Sequence, residues 1–129
     1  MADIAAAGAR AIEHLAVLVR DGDARGKADA AASLAKLAAG DDAIKAAIAK
    51  AGAIGPLTAL VRDGDAQGKA NAAVALAKLA SGDDAIKATI AVAGAIGPLA
   101  ALVRDGDARG KANAAGALNV LSAGDAAKK

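Results

Sequence analysis

The sequence predicts an all-α chain, a solenoid of three stacked units built on a three-helix repeat. Three observations carry this. A segment of 42 residues recurs without a gap. Alanine makes up about a third of the chain, and Phe, Tyr and Trp are absent. Gly, Pro and Asp-Gly-Asp punctuation falls at corresponding places in successive units. A gapless period of this length marks a stacked array in which each unit relies on its neighbours for burial.

The repeat is clearest between Asp41–Gly82 and Asp83–Gly124, which agree at about 33 of 42 positions. Residues 1–40 follow the same register, because Leu18-Val19-Arg20-Asp21-Gly22-Asp23 lies 42 residues before Leu60-Val61-Arg62-Asp63-Gly64-Asp65. The organisation expected is therefore a single domain over 1–129, with units 1–40, 41–82 and 83–124 and a tail 125–129. Gly124-Asp125 is how a further unit would begin, so the chain reads as a piece of a longer array.

Within the second unit, Gly40 suits a position just past a helix, where φ is positive. Asp41 and Asp42 then start the first helix as cap and as favourable N-terminal charge. Ile44 and Ile48 share one face, and Lys45 is placed to pair with Asp41. Gly52 ends this helix. The second runs from Ile54 to Arg62, with Pro56 in its first turn, where a missing N–H costs nothing. Ile54, Leu57, Leu60 and Val61 form its apolar stripe. Asp63-Gly64 is a turn, and Asp65 caps a long third helix over 66–81. The third unit repeats the scheme. In the first unit Gly52, Gly55 and Pro56 are replaced by Arg10, Glu13 and His14. With the breakers gone, the first two helices should fuse into one from Ile4 to Arg20, capped by Asp3.

Composition limits function. The net charge is +2 with both signs interleaved, which is not the clustered basic surface of a nucleic-acid binder. No Cys is present, so neither disulfides nor thiolate metal sites are available. That fits a reducing compartment, the cytoplasm or nucleus for a natural protein. No apolar run approaches about 18 residues, and the first residues lack a signal pattern, so no membrane role is expected. Gly64-Asp65-Ala66-Gln67-Gly68-Lys69 and its copies imitate a phosphate loop, but the spacing is short by one and Ala follows Lys. Asp63-Gly64-Asp65 lacks the later bidentate Glu of a calcium loop. His14 stands alone, and Ser33, Ser81 and Ser122 have no His partner that the pattern supplies. No catalytic residue, cofactor or metal is expected.

Two phrases point to a family. Gly52-Ala53-Ile54-Gly55-Pro56-Leu57 and Asn71-Ala72-Ala73-Val74-Ala75-Leu76-Ala77-Lys78-Leu79-Ala80, with their copies at Gly94 and Asn113, resemble the armadillo repeat. HEAT repeats share the period but usually lack the short first helix and this third-helix phrase. The resemblance implies a right-handed solenoid whose third helices line a concave groove. In peptide-binding members Trp and Asn from those helices form the groove. Here the Trp position holds Ala32, Val74 and Gly116, and the Asn position holds Lys36, Lys78 and Val120. The resemblance thus implies a non-catalytic scaffold for protein–protein interaction, an engineered or excised array lacking the usual ladder. Candidate groove residues are Lys36, Val74, Lys78, Gly116 and Val120, with Ala28, Ala70 and Ala112 beside them, and an acidic protein or peptide is the expected partner. The alternative is a self-associating module with no ligand, a homodimer closed through Leu118, Val120 and Leu121.

Overall fold

The computed structural model describes the backbone of residues 2–127 and the side chains of residues 8–123. Within that span the chain forms helices only: α1 (Ala2–Asp21), α2 (Ala24–Ala38), α3 (Asp42–Lys50), α4 (Ile54–Asp63), α5 (Ala66–Ala80), α6 (Asp84–Val92), α7 (Ile96–Asp105) and α8 (Ala108–Ala127). α1 runs unbroken through the positions where Gly and Pro interrupt the other units. The cap expected at Asp3 falls among residues whose side chains are not described. α8 passes through Gly124, so the turn that ends the second unit at Gly82 has no counterpart there.

The helix starts are set locally. Asp23, Asp41, Asp65, Asp83 and Asp107 each sit at an N-cap and accept the N–H three residues on, at 2.7 to 3.0 Å. This accounts for the Asp-Gly-Asp and phosphate-loop lookalikes, whose carboxylates are engaged by their own helices. α3 ends in a Schellman motif: Ala53 N–H reaches the Ile48 carbonyl at 3.4 Å and Gly52 N–H the Ala49 carbonyl at 3.1 Å. That closure needs the left-handed φ of 84° at Gly52. The third unit repeats it at Gly94, φ 88°. α3 and α4 consequently meet at 77°, and α6 and α7 at 78°.

Two expectations about turns are corrected. Gly40 does not adopt positive φ; Gly82 does, at 79°. Ser81 is extended (φ −65°, ψ 117°), and with Gly82 it makes a type II turn closed by Asp83 N–H to the Ala80 carbonyl at 3.3 Å. Ala39, Ser81's counterpart, is instead helical. The second correction explains the difference. Lys45 does not bond Asp41, whose carboxylate is occupied as a cap. Its Nζ lies 3.9 Å from Asp42 and donates to the Ser81 carbonyl at 2.8 Å, so it anchors the turned-out peptide that Gly82 permits.

The units stack mainly through their third helices. α5 lies between α2 and α8, while α4 packs on α7 and α1. Ala28, Ala31, Ala70, Ala72 and Ala73 are buried along this stack, and their small side chains let the backbones approach. The apolar stabilisation comes largely from Leu34, Ile48, Leu57, Leu76, Leu79, Ile90 and Leu99, all fully buried. Each such side chain contributes about 1.5–3 kcal/mol. No single helix among the described residues is long and apolar enough to cross a membrane.

Candidate groove on the third helices

Residues spaced by three and four along a helix share a face. On α5 the series Gln67, Asn71, Val74, Lys78 forms such a stripe, and on α2 and α8 it reads Arg25, Asp29, Ala32, Lys36 and Arg109, Asn113, Gly116, Val120. Between α2 and α5 this face opens into a shallow cavity of about 330 Å³. Ala32, Ala35 and Val74 make its apolar floor, and Lys36, Lys78 and Arg109 stand around it. No carboxylate lines it.

The structure brings Lys36, Val74 and Lys78 together in this cavity. Gly116 and Val120 are not among its lining residues; Gly116 is exposed, and Val120 is half-buried and packs against the core. Ala28 and Ala70 are also displaced from the role expected. Both are about 1% exposed, because α5 and α8 sit directly upon them.

Two groups were missed in the sequence. Asn71 is buried, donates from Nδ2 to the Ala28 carbonyl at 3.0 Å, and accepts from Arg109 Nη2 at its Oδ1. Asn113 donates in the same way to the Ala70 carbonyl at 3.0 Å. These asparagines are therefore seam residues, each tying one unit's third helix to the one before. Arg109 reaches back over α5 and brings a third cation to the groove. The available signal was the alternation Arg25, Gln67, Arg109 one turn before Asp29, Asn71, Asn113.

Elsewhere, two repeat-related hollows of about 270 and 260 Å³ lie at the turn edge of the seams. Each is lined by one Arg, one Lys and two Asp: Arg20, Lys27, Asp63 and Asp65, then Arg62, Lys69, Asp105 and Asp107. Their charges balance, so neither selects a ligand by sign. His14, Ser33, Ser81 and Ser122 are all exposed. Among the described residues no three His, Cys, Asp or Glu gather as a metal site would require.

No protein-family model and no curated protein matches the chain. Solved structures do. An engineered protein from the Northeast Structural Genomics Consortium is 32% identical with a TM-score of 0.81, over 84% of this chain and 45% of that one. A designed armadillo repeat protein in complex with peptide (KR)4 is 27% identical with a TM-score of 0.80, over 84% and 46%. Computationally designed armadillo repeat proteins for modular peptide recognition give 29% and 0.80, over 84% and 46%. The chain spans less than half the length of these structures.

Proposed function

We propose that this chain, an armadillo-repeat solenoid, is a non-catalytic scaffold that holds an extended acidic peptide along the face of α2, α5 and α8. One observation carries the reading: the cavity between α2 and α5 has an apolar floor, three cations at its edges and no carboxylate among its lining residues. Its solved neighbours include a designed armadillo protein holding (KR)4. A basic peptide of that kind meets like charge here, which favours the opposite sign of ligand. The positions that carry Trp and Asn in peptide-binding members hold small and basic residues, so binding rests on charge and apolar contact, with no backbone clamp. The near-identity of the units and the designed origin of the similar structures support an engineered array.

Anisotropy titrations of two labelled peptides, one glutamate-rich and one lysine-rich, test this. The glutamate-rich peptide binds, and more weakly as salt is raised, because exposed charges are screened over about 8–10 Å. Lys36→Glu with Lys78→Glu reverses the preference. Tight binding of the lysine-rich peptide to the unmodified chain rejects the proposal.

A further inference from the structure

The seam between units is made twice, α2 against α5 and α5 against α8, and it carries two marks each time. An asparagine on the incoming helix donates to a carbonyl of the preceding one, Asn71 to Ala28 and Asn113 to Ala70. One turn later an alanine closes the contact, Ala75 and Ala117, neither of which has any exposed surface. The first unit breaks both marks. Asp29 stands in the asparagine series and Ser33 in the alanine series, and both are exposed. An ionised carboxylate only accepts hydrogen bonds. Set against a backbone carbonyl it would bring oxygen to oxygen and draw a carboxylate, 3.9 Å from the exposed Arg25 guanidinium, out of water.

The outward face of the third unit, by contrast, keeps the receiving surface. Ala112 continues the Ala28 and Ala70 series and lies exposed. Ile96 is 49% exposed where Ile54, its counterpart, is 4%. Val103 and Leu118 are half-buried where Val61 and Leu76 are buried.

We infer that the outward face of α7 and α8 is a docking surface for the first unit of a second copy of this chain, in the register of the internal seams, and that Asp29 and Ser33 keep this contact from closing. Continuity names the occupant. The open face is built like the ones α4 and α5 present to the third unit, and that surface receives the incoming side of a repeat. The contact is heterologous: each copy that docks offers a fresh receiving face, so relieving the block yields growing chains of molecules in place of a closed pair.

Sedimentation velocity across a concentration series tests this on the whole chain, with circular dichroism confirming that each variant is folded. The unmodified protein sediments as a monomer to several hundred micromolar. Asp29→Asn with Ser33→Ala associates roughly tenfold or more tightly, as expected when a carboxylate facing a carbonyl becomes a hydrogen-bond donor to it, and forms species beyond the dimer. Adding Ile96→Glu, at a side chain already half exposed, returns it to monomer. A double variant that remains monomeric over the same range overturns the inference. So does an unmodified protein that forms a dimer unaffected by the double variant, which would assign the open end to a twofold pairing through Leu118, Val120 and Leu121.

Discussion

The second and third units share about 33 of 42 residues, yet the same side chain does different things in each. Leu76 is about 1% exposed and Leu118 half-buried; Thr58 is buried where its counterpart Ala100 is exposed. The difference lies in the neighbour: the second unit is covered on both sides, the third on one. In a stacked array a residue's contribution depends on its unit's position as much as on its own chemistry.

Leucine truncation should show this most strongly. Leu76→Ala costs about 2–5 kcal/mol, since a fully packed side chain leaves a cavity. Leu118→Ala costs less, because part of its surface already meets water and the site can relax. Urea unfolding of both variants gives the ratio. Equal losses would mean that the open face of α8 is covered in solution.

The asparagine seam comes next. Asn71→Ala removes a buried donor to the Ala28 carbonyl and the acceptor of Arg109, at about 1–3 kcal/mol. Asn113→Ala breaks one bond at a half-buried position and costs about 0.5–1.5 kcal/mol. If the two losses are equal, the Arg109 contact contributes nothing. Arg109→Gln, restoring the residue found at Gln67, separates that contact from the Ala28 bond.

How much of this was legible follows from the range of each interaction. The caps at Asp41, Asp65 and Asp83 were readable because an N-cap is complete within four residues. The fused α1 was readable because Gly and Pro act on their own backbone. Gly40 and Gly82 defeated the same reasoning: they occupy corresponding positions, but Lys45, 36 residues upstream of Ser81, stabilises the flipped peptide in one turn only. The groove was half legible. Lys36, Val74 and Lys78 follow from helical spacing on adjacent helices. Arg109 does not, since its place depends on Asn71 in another unit. Val120 shows the converse, a residue on the correct stripe whose surroundings change because no helix packs beyond α8 among the described residues.

A smaller effect of opposite sign is expected at Thr58. Its hydroxyl is buried without a hydrogen-bond partner, and the other two units carry Ala16 and Ala100 there. Thr58→Val keeps the volume and removes the polar atom, which should stabilise the chain by about 1 kcal/mol. A higher melting temperature with an unchanged spectrum meets the expectation. A loss would mean that a water reaches the hydroxyl.

The smallest difference separates Lys45 from Lys87, the same residue one unit apart. Both side chains lie against the protein, 11% and 15% exposed, and both approach an aspartate three residues before, at 3.9 and 3.6 Å. Among the described residues only Lys45 also donates to a carbonyl, that of Ser81 just past the end of α5. A cation there meets the negative end of the helix dipole and a charge-assisted hydrogen bond together. Among the described residues Lys87 has the intrahelical pair alone, a contact of about 0.3–0.5 kcal/mol. Replacing Lys45 with methionine, which preserves the apolar stem, should therefore cost about 1 kcal/mol, and the same change at Lys87 about half that or less. Salt distinguishes the two further. Raising ionic strength should erase most of the Lys87 effect and leave part of the Lys45 effect, because the hydrogen bond to Ser81 persists when the aspartate pair is screened. If both effects vanish together in salt, the Ser81 bond contributes nothing to stability, and the left-handed Gly82 alone holds the turn.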